Sequence, residues 1–212
     1  MRNSDMEISD QITDHAGLDA LYRTPGEIAA NKVFGAIDQA TAAFIDRCPF
    51  LVVATTGTSG QVDASPRGGP PGFLQRLGDR HVAIPDLNGN NRLDTLRNIV
   101  DHPRVGLLLV VPGKDETVRI NGPATLTTSA EILDGFTAEL RRPKSAIVVE
   151  TEELYGHCAK AFRRGHVWEP ASWVGHESAP DLAEIVTEQF GIDLVSSRAR
   201  LEQSYVEDLA AD

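Results

Sequence analysis

Ser65-Pro66-Arg67-Gly68-Gly69-Pro70-Pro71-Gly72 and, a few residues on, Arg80-His81-Val82-Ala83-Ile84-Pro85-Asp86-Leu87-Asn88-Gly89-Asn90-Asn91-Arg92 decide the reading of this chain. Each ends in a polar turn broken by glycine or proline, and the segment from Arg80 to Ile84 alternates polar and apolar residues with branched side chains, the pattern of a strand. Both turns therefore sit at strand ends. The second runs into Leu93-Asp94-Thr95-Leu96-Arg97-Asn98-Ile99-Val100, where Leu93, Leu96 and Val100 recur at helical spacing and define the expected buried face. Asn90 or Asn91 is the expected N-cap, with Asp94 in the first turn. Asp101-His102-Pro103 stops the helix, because proline disfavours helical geometry in the residue before it.

A helix start exposes backbone N–H groups and the positive end of the macrodipole, so it favours an anion, the more so with Arg92 beside it. Arg67 arrives from the other strand end as a second cation whose planar fork matches phosphate oxygens. The local chemistry is that of a phosphate seat; two solvated surface arginines beside a capped helix are the plainer alternative. A calcium loop is excluded by counting. Asp86, Asn88 and Asn90 imitate the first ligand positions, but Asn91 stands where such a loop needs glycine and Arg97 where it needs a bidentate glutamate.

Composition narrows the classes. A chain of 212 residues with 41% hydrophobic content has enough apolar mass for one core, and no apolar run reaches membrane-spanning length. Met1-Arg2-Asn3-Ser4-Asp5 lacks the apolar centre of a signal peptide, so a cytoplasmic location is expected. The formal charge of −11 argues against a nucleic-acid surface, which needs clustered Lys and Arg against phosphates. Acids dominate residues 1–50 and 170–212, whereas the Ser65–Asn121 region is nearly balanced and holds Arg67, Arg92 and Arg119; a small phosphorylated ligand suits that distribution and a polyanion does not. Cys48 and Cys158 lie too far apart for a disulfide framework. His102, His157, His166 and His176 form no zinc pattern, and no metal is expected.

Taken in order, residues 1–24 read as a mobile or loosely docked arm. An amphipathic helix is expected between Pro25 and Phe44, with Val33, Ile37, Ala40 and Phe44 on its apolar face. Strands are expected at 50–55, 61–65, 80–84, 104–111, 117–126 and 146–151, with Phe73 to Leu77 flanking them. Gly122-Pro123 should bend the fifth of these. A helix is expected from a Ser129 cap to about Leu140, and two more over about 181–190 and 197–209 in an acidic extension, residues 171–212. Short strands, Gly- and Pro-rich turns and few long helices predict a mainly β fold with flanking helices, a six-stranded antiparallel barrel that hides its edges. Residues 155–168 combine cations with aromatic and small residues. Cys158 next to His157 invites a nucleophile reading, but helical neighbours do not face each other, and a buried small residue is the expected role.

The ordered set resembles the pyridoxamine 5′-phosphate oxidase-like flavoproteins. It is most similar to a bacterial subgroup with a Ser-Pro-Arg-Gly turn (Ser65 to Gly68), a Pro-Asp…Gly-Asn-Asn-Arg turn (Pro85 to Arg92), an Arg-Ile-Asn-Gly strand (Arg119 to Gly122) and a His-Cys-Ala-Lys-Ala segment ending in tryptophan (His157 to Ala161, then Trp168). The similarity covers roughly residues 25–170. It implies an FMN-binding split β-barrel over that span and a homodimer with the cofactor in clefts between two barrels. Arg67 and Arg92 would then hold the flavin phosphate, with Ser65, Gly68 and Asn91 among the cofactor-binding residues, backbone around Pro85 and Asp86 would line the flavin ring, and Thr117 would face its edge. Lys160, Arg164 and Trp168 would close the site from the partner subunit.

The chain departs from the pattern at Gly69, where the subgroup carries an acidic residue, and at Arg164-Gly165-His166, where an Arg-Ser pair is expected. The residues with which the oxidase itself grips pyridoxal phosphate are not placed here, so the substrate is unassigned. The implied activity is that of an FMN-dependent oxidoreductase acting on a small molecule, with hydride transfer through flavin N5 and no protein nucleophile, so no catalytic residue is named. An F420-dependent reductase on the same barrel and a non-catalytic flavin-sequestering module are the alternatives.

Overall fold

A computed structural model describes residues 8–175 and 178–212. The opening residues read above for a signal peptide, and His176, lie outside them. The chain divides into two compact units, Met1–Lys32 and Val33–Asp212. Among the described residues the first holds two short helices, α1 (His15–Leu21) and α2 (Glu27–Asn31), neither with a buried residue.

Among the described residues the second unit carries eight antiparallel strands: β1 (Phe50–Thr56), β2 (Val62–Gly68), β3 (Gln75–Leu77), β4 (His81–Pro85), β5 (Arg104–Val110), β6 (Thr117–Thr127), β7 (Ala146–Glu150) and β8 (Glu153–His157). The order is β2-β1-β5-β6-β7-β4-β3, with β8 also on β6. The mainly β class with flanking helices is as expected, with eight strands rather than six. The two additional strands carried weak local signals: β3 has three residues, and β8 lies in the stretch read from composition as a cationic patch.

Strand β6 makes the barrel split. Its first part pairs with β5 through Arg104↔Pro123 and with β8 through Asn121↔Glu153, whereas Ala124 to Thr127 pair with β7. The change of partner falls at Gly122-Pro123, where a bend was expected. A Cβ on Gly122 would stand 1.9 Å from the carbonyl oxygen of Glu150, so only glycine lets the β7–β8 connection cross there. The core between the sheets is formed by Leu51, Val53, Ile84, Leu107, Ile120 and Ile147, each 1% exposed or less. Cys48 is buried among them, its thiol donating to the carbonyl of Phe50, and burial pushes that thiol's pKa up.

Three helix expectations are corrected. The amphipathic run to Phe44 is broken, because Phe34 exchanges backbone hydrogen bonds with Leu154 on β8 at 3.1 and 2.7 Å. Asp38 then caps a separate helix, α3 (Gln39–Ile45), accepting from the Thr41 N–H. The run after Ser129 yields only α5 (Ala130–Leu133), since Gly135 disfavours continuation and a Cβ there would meet the Gln75 amide at 2.2 Å. In the acidic extension, α7 (Leu182–Phe190) begins with a reciprocal Asp181/Glu184 capping box, and α8 (Leu194–Ala211) starts earlier than expected because Asp193 caps it. Among the described residues no helix is long and apolar enough to cross a membrane.

Candidate functional site

The helix after the second turn, α4 (Asp94–Asp101), fixes the geometry. Its buried face is Thr95, Asn98 and Ile99, whereas Leu93 and Val100, expected inside, are 43% and 72% exposed. Polar pairing overrides the apolar periodicity. The Asn98 amide donates to the Thr55 hydroxyl on β1 at 2.9 Å, and the Thr95 hydroxyl donates to the Asp63 carboxylate on β2 at 2.7 Å. Asp63 also accepts from Ser65, at 3.1 and 3.0 Å. On β2 the half-buried residues are Asp63, Ser65 and Arg67, so the strand alternation puts all three on the face that meets α4.

The start of α4 also differs from expectation. Neither Asn90 nor Asn91 is the N-cap; Leu93 is, in left-handed geometry at φ 62°, and no side chain caps the helix. Asn91 is left-handed as well, at φ 56°, and Asn90 spends its side-chain oxygen on the Arg92 N–H at 3.0 Å. Two left-handed residues, one on each side of Arg92, lead the chain into the helix without a capping side chain, and Asp94, Thr95 and Leu96 of its first turn line an open cleft.

That cleft measures about 460 Å³, within the roughly 300–1,000 Å³ usual for small-molecule sites. The β2 end contributes Ser65, Pro66, Arg67 and Gly68; the turn after β4 contributes Pro85 through Arg92. Of the residues expected from the sequence, Ser65, Arg67, Gly68, Pro85, Asp86, Asn91 and Arg92 all line it. Arg67 and Arg92 thus line one cleft, as a phosphate seat requires. The Arg67 guanidinium also donates to its neighbour's carbonyl, at Pro66, over 2.8 Å, and Arg92 pairs with Asp94. Burial raises the Asp86 carboxyl above its ordinary pKa, opposed by the charges of Arg67 and Lys144 and by a hydrogen bond with Ser145.

Thr117, Lys160, Arg164 and Trp168 do not line the cleft. Thr117 is buried at the start of β6, in a register row that runs Gly68, Phe50, Val110, Thr117, His157 across the sheet. That places it three strands from Gly68, roughly 14 Å at about 4.8 Å per strand. Lys160 and Arg164 bound the short helix α6 (Lys160–Arg164) and are exposed. The Trp168 indole donates to the Lys114 carbonyl at 2.8 Å and stacks on Phe162 at 5.7 Å, while Arg163 pairs with Asp115 at 2.9 Å, so this segment is pinned to the β5–β6 loop. Cys158 is exposed rather than buried, because β8 ends at His157 and releases it into the turn before α6. At Gly69 a Cβ would stand 2.7 Å from the Cβ of Phe73, which leaves no room for the acidic residue of the resembled subgroup.

Sequence reasoning missed Asn88, Leu209 and Asp212. The Asn88 N–H donates to the Asp212 carboxylate at 2.8 Å, Asp212 also accepts on its main-chain oxygen from the Arg141 N–H, and Leu209 lines the same cleft. No local pattern marks a contact between positions so distant in sequence. Among the described residues no cluster of three His, Cys, Asp or Glu side chains could hold a metal ion.

The donor set fits a phosphorylated cofactor: two arginines, an uncapped helix start and the turn before it line one concavity. Comparison with known proteins places the chain. Residues 37–158 match the family model described as pyridoxamine 5′-phosphate oxidase. Among solved structures, HupZ of Group A Streptococcus is similar at 18% identity over 57% of this chain and 93% of its own, with a TM-score of 0.47. A putative pyridoxamine 5′-phosphate oxidase from Lactobacillus delbrueckii matches at 16% identity over 58% and 98%, with a TM-score of 0.45. A pyridoxamine 5′-phosphate oxidase-related, FMN-binding protein from Nostoc punctiforme matches at 12% over 55% and 81%, with a TM-score of 0.37. No curated protein matches. With the family model spanning more than half of its length, the chain belongs to the pyridoxamine 5′-phosphate oxidase family.

Proposed function

We infer that this chain is an FMN-dependent oxidoreductase acting on a small molecule. The observation that carries the reading is the meeting of Arg67 and Arg92 at the uncapped start of α4 in one cleft of about 460 Å³. The two guanidinium groups and the first-turn N–H groups of α4 hold the phosphate, with Ser65, Gly68 and Asn91 shaping the seat. Backbone at Pro85 and Asp86 lines the ring, and Thr117, at the same end of the sheet, faces its edge. FMN, when bound, supplies the two-electron redox chemistry. The protein's share is to bind, orient and exclude water.

The site is completed in a homodimer by Lys160, Arg164 and Trp168 of a second copy. Their exclusion from the cleft of their own chain, together with the exposure of Lys160 and Arg164, supports that assignment. Titration of the purified protein with FMN tests the reading: binding should quench flavin fluorescence, and NADH or NADPH should bleach the bound flavin, with air restoring its colour. Binding without reduction would leave a sequestering module. Uptake of a deazaflavin but not FMN would move the chain to F420 chemistry, and failure to bind either would end the reading.

A further inference from the structure

The last turn of α8 lies in the cleft just described. Asp212 places a carboxylate oxygen 2.8 Å from the backbone N–H of Asn88, in the turn that carries Arg92, and its main-chain oxygen is held by the N–H of Arg141. Leu209, one turn back, lines the same cavity. The occupant is an anion on a backbone donor, which is the bond a phosphate oxygen makes at such a turn.

We propose that the Asn88 N–H is part of the anion seat and that the Asp212 side chain is a built-in competitor for it, so that α8's last turn must leave before the ligand's phosphate can dock. The inference rests on the functional reading above and adds to it a second state of the site. Charge drives the exclusion. Asp86 and Asp94 already line the cleft, and a dianionic phosphate entering beside Asp212 would meet a further negative group at hydrogen-bond range. The hydrogen bonds of Asp212 to the Asn88 and Arg141 N–H groups hold the closed arrangement, and the ligand offsets their loss through Arg67 and Arg92. The apparent affinity is therefore the intrinsic affinity reduced by the fraction of molecules whose cleft is open.

The test compares the full chain with D212A and D212N, titrated with FMN and with inorganic phosphate, while hydrogen exchange follows residues 205–212. Both variants should bind FMN about three- to ten-fold more tightly than the parent, as expected if the closed form is the majority state. In the parent chain, saturating FMN should speed amide exchange in the last turn of α8. Equal affinities with unchanged exchange would overturn the competitor while leaving the cofactor seat in place. Weaker binding by D212A would also overturn it, since Asp212 would then help to hold the ligand. If neither parent nor variants bind FMN or phosphate, the seat itself is wrong and the inference falls with it.

Discussion

Gly122 faces the carbonyl oxygen of Glu150 so closely that a Cβ at position 122 would lie 1.9 Å from it. The obstacle is backbone, and the Glu152 N–H, hydrogen-bonded to the Asn121 carbonyl at 3.1 Å, fixes the crossing from the other side. Gly122→Ala should therefore force β6 and the β7–β8 connection apart. A loss of about 1–3 kcal/mol is expected, toward the upper end because no flexible side chain can yield. Urea denaturation of the parent and variant checks it; an unchanged midpoint would mean that the bend tolerates a side chain.

The second prediction concerns the anchoring of α4. Asn98 and Thr55 are 7% and 3% exposed and bonded to each other at 2.9 Å, so removing either partner leaves a buried polar group unpaired. Asn98→Ala and Thr55→Val should each cost about 1–3 kcal/mol. The double variant should cost less than the sum, because the second change removes a group that the first has already orphaned. Additive losses by thermal or chemical denaturation would show that the two side chains do not depend on each other.

These residues also mark where the sequence stops being legible. Strands β1, β5 and β7 announce themselves as short apolar runs, and the bend in β6 is written in Gly122-Pro123, since a backbone requirement leaves a residue-type signature. The buried face of α4 leaves none. Hydropathy points to Leu93 and Val100, but a hydrogen-bonded Thr95 and Asn98 occupy the interface, and such pairing is invisible until β1 and β2 are in place. The same holds for the cleft. Arg67 and Arg92 are readable because each stands near a glycine at the edge of a strand, Arg67 in the last residues of β2 and Arg92 in the turn after β4, whereas the Asp212 contact with Asn88 depends on how a distant helix folds back.

Arg67 and Arg92 should not contribute equally to anion binding. The Arg92 side chain is 78% exposed and already paired with Asp94, so solvent and that carboxylate both weaken its pull. Arg67 is half-buried on the face of β2 that meets α4. Arg67→Ala should weaken FMN binding by about 1.5–3 kcal/mol and Arg92→Ala by about 1 kcal/mol. Arg67→Lys should recover only part of the loss, because an ammonium cannot reproduce the planar fork. Fluorescence titration at low and moderate salt measures all three, and a larger effect at Arg92 would contradict the assigned geometry.

Asp86 sets the expected pH dependence. Burial holds its carboxyl above the ordinary value of 3.8, so the folded chain binds this proton more tightly than the unfolded chain does. The sign follows. Below pH 3.8 the group is protonated in both states and contributes no penalty; as pH rises through the folded pKa the buried charge forms, and stability falls. Asp86→Asn should abolish that slope and leave the variant more stable than the parent at neutral pH, provided the Arg67 and Lys144 charges remain outweighed by burial. An anion in the cleft adds a like charge and raises the Asp86 pKa further, so FMN should bind the parent more tightly as pH falls through this window. Each unit of added shift corresponds to about a ten-fold change in affinity. Phosphate itself titrates at about pH 6, and that contribution is common to parent and variant, so the difference between their affinity–pH profiles isolates Asp86. Superimposable profiles would place the Asp86 carboxylate out of reach of the bound phosphate.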